Sequence, residues 1–285
     1  LYSMIRASPA NLAENLESYR IIGYGDEQLT VRAIKVAIDG ALGSHGAWLL
    51  APYVDNPSTS GLNTTPLEDV EETARLAMEH GYQFNVHAIG DRGNRETLDI
   101  FEAAYESAGS GDHRWRIEHA QHLHPDDIPR FGALGVIASM QGVHATSDAP
   151  WVEPKLGYQR AEEGAYVWQK LMQSGATIMN GTDAPVEDVS PISSYYSTVS
   201  RMPSTGKVFF PDQRMSRMEA LRSYTINAAY GAFEEDLKGS LEVGKLADIT
   251  VLSQDIMTIE EAQIPETEVV YTIVGGEVVY TRGGQ

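Results

Sequence analysis

Tyr82-Gln-Phe-Asn-Val-His-Ala-Ile89 reads as a strand. It runs through Gly90-Asp91 into a helical stretch, Arg92 to Ser107, and Arg114 to Ala120 then reads as the next strand. A strand, a helix and a second strand in this order form a parallel βα unit, and the same alternation extends in both directions. Upstream, Thr65-Pro66-Leu67-Glu68 has the form of a capping box with proline at the first helical position. The helix it opens carries its apolar face on Leu67, Val70, Ala74, Ala77 and Met78, and Gly81 ends it. Before that come a strand over Val31–Asp39, a helix over Pro9–Tyr19 and a short strand from Tyr2 to Ala7.

Downstream the pattern gives a short helix from Pro125, a strand over Gly135–Gln141, a loop, and a helix near Arg160–Gln173. A strand over Thr177–Asn180 follows, then a helix opened by a second capping box, Ser216-Arg-Met-Glu219. This makes six βα units where a closed (β/α)8 barrel needs eight. The expected fold is therefore an α/β protein containing a partial TIM barrel, units 3 to 8, with the first two units upstream of residue 1. Past about residue 236 the character changes. Ala247–Leu252 and Val269–Val274 are rich in β-branched residues, and Gly275-Gly276 joins the latter to Glu277–Thr281, a hairpin signal. The expected division is a barrel portion over 1–235 and a small C-terminal β portion over 236–285.

The chain has 285 residues, 42% of them hydrophobic and 21% charged, an ordinary globular balance. Forty acidic against 21 basic residues give a net charge of −19, a field that disfavours nucleic acid and anionic membrane surfaces as partners. No apolar run approaches the roughly 20 residues of a membrane-spanning helix. The first residues show no signal-peptide layout, and the expected location is cytoplasmic, any targeting segment lying upstream. With no cysteine, a bound metal must be held by His, Asp, Glu or a modified Lys.

Functional groups of such a barrel sit at the C-terminal ends of its strands. His87 lies near one strand end, His119 ends the next strand, Asp183 follows the last barrel strand in Gly-Thr-Asp-Ala-Pro185, and Lys35 lies in the Val31–Asp39 strand. Two imidazoles, a carboxylate and a lysine on successive strands could bind a catalytic metal with open positions. Each has another reading when taken singly. A histidine can be a hydrogen-bonded structural residue, Asp183 a turn or cap residue, and Lys35 a side chain snorkelling past a core face.

Five motifs in order make the resemblance specific: Lys35 with Asp39-Gly-Ala-Leu-Gly-Ser44, His87-Ala-Ile-Gly-Asp-Arg92, Glu118-His-Ala-Gln121, His144-Ala-Thr-Ser-Asp148 and Gly181-Thr-Asp-Ala-Pro185. Together they resemble amidohydrolase family 3, the group containing the N-substituted formamide deformylases. Gly239-Ser-Leu-Glu-Val-Gly-Lys-Leu-Ala-Asp248 resembles the entry to the composite β domain of that superfamily. The resemblance implies that His87 and His119 are metal ligands and that Asp183 is both a ligand and a general base. It implies that Lys35 is the lysine that can be carbamylated to bridge metals, with His144, Asp148 and Asp91 orienting the substrate. The family's His-x-His of strand 1 has no counterpart here. His122-Leu-His124 has that spacing, but it precedes Pro125 at a helix start, where loop lining or capping is the expected role.

The resemblance thus implies a hydrolase of C–N bonds, amide or formamide, working through a metal-activated hydroxide on a small-molecule amide. The cofactor is a divalent metal, with zinc as the expectation, one or two ions in the complete enzyme and one or none in this chain. The alternative is a catalytically inactive truncated chain, or a binding or assembly module derived from such an enzyme. Missing barrel units would expose strand edges at Tyr2–Ala7 and Thr177–Asn180, through which the chain could form homo-oligomers. Substrate choice would reside in the loops Trp48–Asn63, Ala149–Gly164 and Met202–Gln213.

Overall fold

The structure, a computed structural model, describes residues 1–109 and 111–284. The chain divides into two compact units, Leu1–Met140 with Pro150–Thr177, and Gln141–Ala149 with Ile178–Gln285. All six expected barrel strands are present: β1 (Tyr2–Ile5), β3 (Leu29–Ala37), β4 (Gln83–Ala88), β5 (Arg116–His119), β6 (Ile137–Gln141) and β7 (Ile178–Gly181). In unit 1 they run parallel in the order β1-β3-β4-β5-β6. Register places Ala37 opposite His87 and Ala88 opposite His119, so the strand ends that carry the histidines lie side by side. The fold is the expected partial barrel, with a small antiparallel sheet in the C-terminal part.

Strands β5 and β6 are buried at every residue, as strands covered on both faces must be. Between β4 and α4 (Asp91–Ala108), Phe84, Phe101 and Trp115 meet at ring separations of 5.0–5.7 Å, with Trp115 donating to the Tyr82 carbonyl. The sequence did not suggest β2 (Ile21–Gly23), a short antiparallel addition to β3 that follows helix α1 (Pro9–Tyr19) and leads into the turn α2 (Tyr24–Glu27).

Three local expectations need correction. Thr65 forms no capping box. Helix α3 (Leu67–Glu79) starts from Pro66 without a side-chain cap, because the hydroxyls of Thr64 and Thr65 both donate to the Ala37 carbonyl at the end of β3. The stretch read as a loop after β6 is helical, comprising α6 (Gly142–Ser147) and α7 (Ala149–Leu156), after α5 (Ile128–Leu134). The single helix expected near Arg160–Gln173 is two, α8 (Tyr158–Gly164) and α9 (Trp168–Gln173). Between them, Ala165 bridges to His122 and Tyr166 takes a left-handed φ of 51°.

The loop Trp48–Asn63 is fixed within unit 1 by several bonds. Asp55 accepts from His45 Nε2 at 3.0 Å and from Lys155 Nζ at 3.1 Å, and the Val54 amide donates to the Lys155 carbonyl. At its far end, a Cβ on Gly61 would sit 1.9 Å from the Ala47 carbonyl oxygen.

In unit 2, α10 (Pro191–Ser200) buries a row of hydroxyls. The second capping box is formed as expected: Ser216 accepts from the Glu219 amide and Glu219 from the Ser216 amide, opening α11 (Arg217–Tyr224) ahead of α12 (Ile226–Gly231). Strands β8 (Ile249–Leu252), β9 (Val269–Val274) and β10 (Glu277–Thr281) form the antiparallel sheet. The β9–β10 hairpin turns on Gly275 and Gly276 at φ 58° and 86°, the positive pair such a turn demands. Among the described residues, no helix is long and apolar enough to cross a membrane.

Candidate metal centre

His87 and His119 reach the same place from adjacent strands, their rings 4.4 Å apart and edge to face. His119 and Ala120 leave β5 at φ 78° and 42°, left-handed conformations that cost energy in non-glycine residues and concentrate at functional sites. Burial, then the positive charges of Lys35 and Arg6, push the His87 imidazole down to about 4, against the opposing pull of Glu118. The ring is therefore neutral at physiological pH, the form in which histidine binds metals. Its Nε2 is buried without a hydrogen-bond partner, and Asp39 Oδ1 stands off at 3.6 Å. A neutral, orphaned ring nitrogen beside a second imidazole fits a divalent cation in both donor type and spacing.

Two charged groups support this strand end. Asp39, at the end of β3, is buried and accepts the amides of Trp48, Ile89 and Gly90 at 2.7–2.9 Å. Burial pushes its carboxyl up to about 7 despite those three donors. In the sequence Asp39 is one position of a motif; its three amide bonds, made to residues 9 to 51 positions away, leave no local signature. Gly90 is required here, because a Cβ would lie 2.1 Å from the Trp48 carbonyl, which also accepts the Arg92 and Gly93 amides. Behind His119, burial alone would raise the Glu118 carboxyl, but Arg116, Lys35 and the Ser139 hydroxyl outweigh it and hold it at about 2. Arg116 Nη2 lies 3.1 Å from Glu118 Oε1.

Asp91 is the first residue of α4, and its carboxylate accepts the Leu50 and Arg92 amides at 2.8 and 3.0 Å. It lines a cavity of about 540 Å³ together with Arg95, His122, His124 and Arg160. In His122-Leu-His124, His122 is buried next to Tyr166, and His124 Nδ1 accepts from the Asp126 amide at the turn before α5. The pair lines the turn before α5 but caps no helix, the N-cap Asp127 having no side-chain hydrogen bond.

The remaining candidates belong to unit 2. His144 lies in α6 and is buried, and Asp183 follows β7 at φ 58°. His144 Nε2 and Asp183 Oδ2 are 3.8 Å apart. Asp148 caps the C-terminus of α6, its amide donating to the His144 carbonyl. Ser147 donates to Glu187 at 2.6 Å, tying the helix to the loop after Asp183.

Residues 3–280 match the amidohydrolase family along their whole length. The protein LONG AFTER FAR-RED 3 of Arabidopsis thaliana is 38% identical over 255 residues, which are 89% of this chain and 44% of that protein. The N-substituted formamide deformylase of Arthrobacter pascens is 26% identical over 224 residues, 79% of this chain and 41% of that enzyme. The crystal structure of an uncharacterized metal-dependent hydrolase from Pyrococcus horikoshii OT3 superposes with a TM-score of 0.79 at 30% identity, covering 92% of this chain and 52% of that one. The chain thus spans about half the length of these relatives. By the family match and by its likeness to the Pyrococcus structure, the chain belongs to the amidohydrolase family.

Proposed function

We propose that the protein containing this chain is a metal-dependent hydrolase of C–N bonds, amide or formamide, on a small neutral or cationic substrate. The observation that carries this reading is the Nε2 of His87, buried without a hydrogen-bond partner on a neutral ring that packs against His119. The names of the Arthrobacter and Pyrococcus relatives support the reaction class, and the net charge of −19 disfavours anionic substrates.

In this reading His87 and His119 are ligands of a divalent ion, zinc by preference for such donors, with Lys35 available for carbamylation, and Asp183 has the ligand role that its motif implies. Such an ion supplies Lewis acidity and a bound water that ionises near neutral pH. The chain's own groups do the remaining work. Asp183 accepts the proton of the attacking water, and His144 beside it donates to the substrate carbonyl oxygen as charge grows there. Asp91 and Asp148 have the substrate-orienting roles that their motifs imply, and burial of His87 keeps protons from competing with the ion for its ring.

The test is elemental analysis and hydrolysis of N-benzylformamide and an amide panel by the full-length protein, beside a His87→Ala, His119→Ala variant. About one or two ions per chain, with turnover, both lost in the variant, support the reading. Equal metal content in the two proteins, or no turnover of any amide, overturns it.

A further inference from the structure

Within unit 2, the two segments that carry His144 and Asp183 are joined by hydroxyl groups that the proposed chemistry does not use. Ser194, buried in α10, lies 3.1 Å from the Gly181 carbonyl, 3.3 Å from the Val143 amide and 2.6 Å from the Tyr224 hydroxyl. A serine hydroxyl has one hydrogen and two lone pairs, so the direction of each bond is fixed. Its hydrogen goes to the Gly181 carbonyl, and it accepts from Val143 N–H. The 2.6 Å contact therefore requires Tyr224 to donate to Ser194. The Tyr224 oxygen in turn accepts the Gly142 amide. Thr198 spends its own hydrogen on the Ser194 carbonyl at 2.9 Å.

The two amides held this way, of Gly142 and Val143, belong to the first turn of α6, where helix N–H groups lack intrahelical acceptors. His144 is the next residue. The carbonyl held on the other side, Gly181, ends β7 two residues before Asp183. There is no slack in the joint: a Cβ on Gly142 would meet Thr198 Oγ1 at 1.9 Å and the Tyr224 hydroxyl at 3.0 Å. One hydroxyl pair thus sets the start of the His144 helix against the end of the Asp183 strand.

We infer that Ser194 and Tyr224 are positioning residues that hold the His144–Asp183 pair in register for the reaction. This rests on the roles proposed above for His144 and Asp183. Its substance, that the two hydroxyls control the placement of His144, can be read without turnover.

The experiment compares full-length wild type with Tyr224→Phe and Ser194→Ala. It uses steady-state kinetics on whichever amide of the panel is turned over, thermal melting, and ¹⁵N-histidine spectra with the His144 signals assigned through His144→Gln. The expected result is a fall in kcat of about tenfold or more in each variant with KM within about twofold. The His144 ring signals shift while those of His87 and His119 do not, and melting falls only by what one lost buried hydrogen bond costs. Unmoved His144 signals with unchanged kcat overturn the inference. So does a kcat loss accompanied by shifts of all three histidines, which marks general loosening instead of positioning. If wild type hydrolyses nothing, the proposed function falls, and the His144 signals alone decide whether the clamp exists.

Discussion

Glu118 and Arg116 have almost no water to share, being 10% and 5% exposed at their side chains, and each serves as the other's solvation. Removing one partner strands the other charge, so Arg116→Met is expected to cost about 3–5 kcal/mol in urea unfolding. The double variant Arg116→Met, Glu118→Leu should recover most of that loss, since well-packed apolar pairs often replace buried ion pairs at little cost. A double variant as unstable as the single one would show that the pair is not the relevant unit. His87, His119 and Asp183 stand out in the sequence as candidates because position at a strand end is itself the signal. Asp39, Ser194 and Tyr224 could not. They act through backbone amides and carbonyls far along the chain, and a carboxylate or hydroxyl that accepts a distant N–H looks like any other.

At the level of elements, strand order, the Gly275-Gly276 hairpin and the Ser216 box were legible because each depends on local chemistry. Thr65 shows the limit of that logic. The same four-residue pattern forms no box, since a strand-end carbonyl competes for the hydroxyl. Ser216→Ala should lower stability by about 1 kcal/mol, whereas Thr65→Val should act through the Ala37 carbonyl and leave the helicity of α3 unchanged, as circular dichroism and melting would report. The helices α6 and α7 were missed because they are short and carry little periodicity, α7 even containing Pro154. The Asp55 tether predicts a pH effect. Partial burial raises its carboxyl, but His45 and Lys155 outweigh that and hold it below its ordinary value. A depressed carboxylate stabilises fully above the unfolded-state value of about 3.9 and loses that contribution as pH falls through its lower folded value. The urea midpoint difference between wild type and Asp55→Asn should therefore shrink as pH falls below about 4; a difference that grows there would refute it.

For the molecule as a whole, 40 acidic residues against 21 basic ones predict self-repulsion that salt relieves. The melting temperature should rise between about 0.01 and 0.5 M sodium chloride as the screening length contracts, and a flat or falling profile would show that local ion pairs dominate instead. Among the described residues β1 pairs with β3 alone, so the span Leu1–Gln285 expressed by itself is predicted to self-associate with increasing concentration in sedimentation. A monodisperse monomer would refute that. The fixed ends of the Trp48–Asn63 loop have a practical meaning for anyone wishing to retarget this scaffold. Trp48 is bolted by Asp39 and threaded under Gly90, and Gly61 admits no side chain against Ala47. A mutant library that randomises the stretch between Leu50 and Ser60 while freezing those anchors, the buried Tyr53 and the Asp55 tether would vary the loop without unfolding it, and clones that lose an anchor would fail at folding before selectivity was ever sampled.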